Sequence, residues 1–158
     1  MACDQSEWQF VEGDLGAPDV QGLLAMHFEA MRASSPPEAC HVLPLDALRS
    51  RDITFWSLRE KGRLLCVGAL KRLDDRHGEI KSMRTDPAST GRGAGRMMLD
   101  HIVAEARRRG YARLSLETGS TAEFQAAIRL YERNGFVPSG PFAEYRPTRF
   151  TRFYTRAL

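Results

Sequence analysis

The chain has 158 residues, 42% of them apolar and 27% charged, and a formal net charge of +3. That size and balance suit a single globular domain spanning residues 1–158. No apolar run approaches the roughly 20 residues of a membrane helix, so no membrane association is expected. A charge of +3 is also weak for nucleic-acid binding, and no recognition motif accompanies the arginines.

In chain order, SEWQFVEG reads as a first strand, and Val20 to Arg32 as a helix with Leu23, Leu24, Met26 and Phe28 as its apolar residues. The prolines of SSPPEAC break that helix. Leu43 to Leu48 is expected to form a short second helix. DITFWSLRE and RLLCVGALKRL read as strands joined by a tight turn at Glu60-Lys61-Gly62. Asp74 to Gly78 turns the chain into a third strand of this group, GEIKSMRT, which Pro87 ends. Ser89 or Thr90 is the expected cap of the next helix, whose core face is Ala94, Met98, Ile102 and Ala106. Arg107, Arg108 and Arg109 suit the negative end of that helix, and Gly110 stops it. ARLSLET is the next strand. Ser120 and Glu123 have the spacing of a capping box before a helix with the stripe Phe124, Ala127, Ile128 and Tyr131. Strands near Phe136-Val137 and from Phe150 to Thr155 complete an α/β order of one mixed sheet with helices on its faces.

Three glycines fall in 91-GRGAG-95, between a strand and a helix. A helix N-terminus presents unpaired N–H groups and partial positive charge, and glycine lets an anion approach the main chain. The segment therefore reads as a phosphate cradle, with Arg92 and Arg96 available for charge-assisted contacts. The plainer reading is a flexible turn whose small residues permit close packing of helix on sheet. A Walker A loop fits poorly, because its lysine is missing. The dinucleotide fingerprint fits poorly, because Arg96 stands where its third glycine belongs.

At these residues the sequence resembles the GNAT superfamily of acetyl-CoA-dependent N-acetyltransferases. That family's loop runs Gln/Arg-x-x-Gly-x-Gly/Ala. Here Gly93 and Gly95 match, and Thr90 replaces the leading Gln or Arg. The second family motif, Tyr-x-Lys/Arg-x-Gly-Phe, is met by 131-YERNGF-136, although Phe124 stands where many members carry Asn. The resemblance implies a mostly antiparallel sheet splayed at a cofactor cleft, acetyl-CoA as cosubstrate and no metal. It implies cofactor contacts from Met83, Arg84 and Thr85 and from Thr90, Gly91, Arg92, Gly93, Ala94, Gly95 and Arg96. The Met83 N–H is a candidate donor to the acetyl carbonyl.

By the same resemblance, Tyr131 is the candidate general acid; by periodicity alone it could be a core residue. Glu79 is the candidate base, with His77 or a water chain as alternatives. The acceptor mouth would draw on Glu38 for an ammonium, on His41, and on Tyr145, Arg146 and Arg149 for a carboxylate, which together suit a small amine resembling an amino acid. Acetylation of a protein or peptide and a non-catalytic acyl-CoA-binding module stay open. A homodimer through the C-terminal strand is a further expectation. Cys3, Cys40 and Cys66 have no paired spacing, so neither a disulfide framework nor a zinc site is expected, and a reducing cytoplasm fits. MACDQSEWQF carries no expected secretory signal.

Overall fold

The computed structural model describes residues 7–34, 36–37 and 43–158. Its strands are β1 (Trp8–Glu12), β2 (Ile53–Glu60), β3 (Arg63–Arg72), β4 (His77–Thr85), β5 (Arg113–Gly119), β6 (Val137–Ser139) and β7 (Thr151–Ala157). They form one seven-stranded sheet in the order β1-β2-β3-β4-β5-β7-β6. Only β4 and β5 run parallel; every other neighbouring pair is antiparallel. Among the described residues there is no helix long and apolar enough to cross a membrane.

The β2–β3 hairpin turns on Lys61 and Gly62, both at positive φ, which matches the right-handed twist of the paired strands. Helix α1 (Pro18–Ser34) lies on one face of the sheet, with Val20, Leu23 and Leu24 packed against Phe55, Leu64, Val67 and Ala69. Arg59 of β2 ties its start to the sheet by hydrogen bonds to Asp14 at 2.8 Å and Asp19 at 2.7 Å. Helices α2 (Ala94–Arg108) and α3 (Gln125–Arg133) cover the opposite face. There Met98, Leu99, Ile102, Ile128 and Tyr131 meet Trp56, Leu58, Leu65, Cys66 and Leu70. Each such buried apolar side chain contributes about 1.5–3 kcal/mol. Cys66 is buried as its apolar run suggests, and burial pushes its thiol up to about 12.

The architecture is the expected mixed sheet with helices on both faces, but several local expectations are corrected. Leu43 to Leu48 holds no α-helix; the segment carries only a 3-10 turn at Ala47–Arg49. The exposed Met26 does not belong to the buried stripe of α1, which runs Val20, Leu23, Leu24 and Met31. Neither Ser89 nor Thr90 caps α2, because Gly93 holds that position in left-handed backbone. The capping box fails too: the Ser120 hydroxyl donates to the Arg149 carbonyl, and a 3-10 turn at Ala122–Phe124 precedes α3. The C-terminal strand β7 pairs with β5 and, over Phe153–Thr155, with β6. It therefore offers no free edge there to a second copy.

Candidate active site

The cleft follows from where the parallel pairing stops. β4 and β5 pair from His77–Arg113 to Ile80–Leu116, after which β4 runs on to Thr85 and β5 to Gly119. The gap opens into a cleft of about 480 Å³, lined by both strand ends, the glycine loop and α3.

A bulge shapes the β4 wall. Val67 pairs with Arg84 and Ala69 with Lys81, so Gly68 alone faces both Ser82 and Met83. Ser82 takes left-handed backbone at φ 56, which costs about 1–2 kcal/mol for a residue with a Cβ. Gly68 makes room for the fold-back. A Cβ there would lie 2.8 Å from Met98 Cγ and 2.9 Å from Met83 Sδ. In a regular strand, residues three apart point to opposite faces. The bulge instead returns Arg84 to the face of Lys81, since both register partners belong to the core under α1.

At one end of the cleft, Thr90, Gly91, Gly93, Ala94 and Gly95 line the wall. Gly91 (φ 79) and Gly93 (φ 87) take conformations that suit glycine, and they lead into the N-terminus of α2. The Ser89 hydroxyl beside them is buried in the lining without a hydrogen-bond partner among the described residues. Positive-φ glycines, a helix N-terminus and an unsatisfied hydroxyl fit a diphosphate.

At the other end, Lys81 Nζ donates to Glu79 Oε2 at 3.0 Å and to the Tyr145 hydroxyl at 2.8 Å. The Tyr145 hydroxyl in turn donates to Glu79 Oε2 at 2.6 Å. The Glu79 and Lys81 side chains are only 2% and 8% exposed, so this contact is an interior one. Burial, reinforced by the Glu79 charge, raises the Tyr145 pKa and keeps its hydroxyl protonated. Tyr131, from α3, lines the same cleft, and burial raises its pKa as well. His27 of α1 faces the cleft with a buried Nδ1 that has no partner among the described residues. Burial, then the charges of Arg84 and Lys81, hold this imidazole down at about 4, so it is neutral at pH 7.

The sequence candidates divide accordingly. Glu79, Met83, Arg84, Thr85, Thr90, Gly91, Gly93, Ala94, Gly95 and Tyr131 all line one cleft. The Arg92 side chain does not: it makes two hydrogen bonds to Glu60, at 2.8 and 2.7 Å, and lies over the Trp8 ring. Arg96 is exposed beside Asp100, outside the lining. His77 hydrogen-bonds Ser115 at 2.7 Å, also outside the lining, and burial lowers its pKa. Tyr145 meets Glu79 and Lys81 rather than open solvent, whereas Arg146 is exposed. Glu38, His41, Cys3 and Cys40 lie outside the described residues. Sequence reasoning missed Lys81, Ser89 and His27. Only His27 left a signal, a histidine spaced into the apolar stripe of α1.

Comparison with known proteins bears on what this cleft does. The acetyltransferase (GNAT) family model matches residues 20–136. The uncharacterized N-acetyltransferase YsnE of Bacillus subtilis is 48% identical over 145 residues, 92% of this chain and 96% of that protein. The uncharacterized N-acetyltransferase YedL of Escherichia coli is 47% identical over 145 residues, 92% of this chain and 91% of that one. The crystal structure of a candidate acyl-CoA N-acyltransferase from Klebsiella pneumoniae superposes with a TM-score of 0.76 at 26% identity, covering 96% of this chain and 97% of that chain.

Proposed function

This chain belongs to the acetyltransferase (GNAT) family and is an acetyl-CoA-dependent acyltransferase; from that premise we propose that its acceptor is the primary amine of a small molecule. Bound acetyl-CoA supplies an activated thioester. The main chain of Thr90 to Gly95 would hold the diphosphate, Ser89 would donate to it, and the bulged strand from Met83 to Thr85 would flank the arm that carries the acetyl group. Loop arginines would add little, since Arg92 is engaged with Glu60.

Glu79, directly or through water, takes a proton from the entering ammonium and frees its lone pair for attack. The C–N bond forms as the C–S bond breaks. Tyr131 delivers a proton to the departing sulfur and recovers one from the nitrogen of the new amide; the proton on Glu79 passes to solvent. Burial raises the pKa of Tyr131, so its phenol holds its proton at the working pH. It is a weaker acid than a free tyrosine, and it can give that proton up only to a strongly basic group such as the departing thiolate. The hydrogen bonds from Tyr145 and Lys81 fix the Glu79 carboxylate.

The observation that carries this reading is that Glu79 and Tyr131, from β4 and α3, line one cleft with the glycine loop. The test is thiol release from acetyl-CoA across amino acids, polyamines, aminoglycosides and peptides, run with the protein and with Tyr131→Phe. Release with a small amine, falling by about 10²-fold in kcat at unchanged KM for acetyl-CoA in the variant, is expected. Release with peptides alone would assign the enzyme to protein acetylation.

A further inference from the structure

The cleft holds a cation, Arg84, that forms no hydrogen bond or ion pair among the described residues. The bulge at Ser82–Met83 turns it to the same face of the sheet as Lys81, beneath α1. The charge of Lys81 is already matched by Glu79, so Arg84 leaves one positive charge in excess on that wall. Beside it stands His27, with a buried ring nitrogen that lacks a partner. The buried His27 nitrogen is costly to leave unsatisfied, and the half-buried Arg84 beside it offers a ligand its charge. Across the splayed gap β5 brings Glu117 to the lining, while Glu79 stands on β4 itself, bonded to Lys81. Along β4 the lining thus runs from the Glu79–Lys81 pair, where the amine must lose its proton, to Arg84 three residues further on, with His27 beside it.

Resting on the acetyl-transfer reading, the geometry points to an acceptor that carries a carboxylate beside its reacting amine, with the carboxylate held by Arg84 and His27 and the ammonium drawn to Glu79. A guanidinium presents two parallel N–H donors to a carboxylate, a fit that a primary amide cannot make. This assignment differs from a site built on Arg146, which is exposed and outside the cleft.

Calorimetry on the complex with coenzyme A tests it without turnover. The probes are the common amino acids, β-alanine and 4-aminobutyrate, each beside its primary amide, with phosphoethanolamine as a phosphate-bearing control. At least one acid is expected to bind about tenfold or more tightly than its amide. Arg84→Gln should erase that preference, and Arg84→Lys should restore part of it, each read at saturating coenzyme A so that any change in coenzyme A affinity is kept apart from the preference. Equal binding of acid and amide by the unaltered protein overturns the inference whatever the variants do. So does a coenzyme A complex that binds no acid, or one that prefers phosphoethanolamine. Absence of coenzyme A binding would remove the acetyl-transfer reading itself, and the inference with it.

Discussion

At the glycine end of the cleft the working surface is main chain, with Gly91 and Gly93 in left-handed backbone leading into α2. At the other end it is side chains: Glu79 and Lys81 from β4, Tyr145 from the segment before β7, and His27 from α1. The two ends answer to different physics. A run of neighbouring amides recognises charge and tolerates most side-chain changes. A cluster drawn from three elements depends on packing and register, and it is where selection among acceptors can reside.

The largest expected effect isolates the side-chain end. Glu79→Gln keeps the shape of the residue and can still accept from Tyr145 and Lys81, but it is a poor base. It should lower kcat by about 10²–10⁴-fold and leave coenzyme A affinity unchanged. Thiol release and calorimetry read the two separately. A variant that keeps its rate and loses coenzyme A would show that the two ends are not independent.

The next concerns His27. Its imidazole ionises near 4 in the folded chain against 6.5 for an ordinary histidine, so the unfolded chain binds the extra proton between those values. Its neutral burial therefore supports stability fully above pH 6.5, and that support is lost as pH falls toward 4, by up to roughly 3 kcal/mol. Urea midpoints at pH 7, 5.5 and 4.5 should fall more for the unaltered protein than for His27→Gln. Parallel pH curves would mean that the imidazole is solvated.

The glycine end can be broken by backbone alone. Gly93→Ala places a Cβ at φ 87, a strain of about 1–2 kcal/mol at the residue that starts α2. Coenzyme A affinity should fall about tenfold as the loop relaxes, with kcat at saturation kept within a few-fold. A drop in kcat with intact affinity would move the role of Gly93 from the cradle to the chemistry.

The same contrast explains what could be read from residues alone. The hairpin at Lys61–Gly62, the apolar face of α2 and the glycine loop are local patterns, and each stands where its pattern puts it. The bulge is not local. Ser82 stands in a strand-like run without the glycine or asparagine that positive φ favours, and its left-handed backbone goes with the register of β3 and the fit of Met83 under Gly68. Hence Lys81 and Arg84, three apart, gave no sign of sharing a face. Met26 and Phe28 looked like core because they are apolar. The contact of α1 with β3 and β4 decides instead which stripe is buried, and it brings His27 to the cleft. Tyr145 drew notice as a possible carboxylate ligand; its hydrogen bond to Glu79 spans most of the sheet's later half and had no sequence signature.

The smallest expected effect sits beside the cradle. By position Arg92 invites a phosphate contact, yet Glu60 takes two of its hydrogen bonds and the guanidinium lies over Trp8 at 5.3 Å. Arg92, with the Trp8 indole N–H, holds the Glu60 carboxyl down at about 2, so the pair stays ionised through any working pH. Leaving it for a diphosphate would strand the Glu60 carboxylate and gain a contact that the loop amides already supply. Arg92→Gln should therefore change coenzyme A affinity by less than about threefold, the range of a partly exposed ion pair acting through the loop's position. Glu60→Gln should have a similarly small effect. A tenfold loss for Arg92→Gln with no loss for Glu60→Gln would mean that the arginine swings to the ligand, and that the glycine end uses side-chain charge as well as main chain.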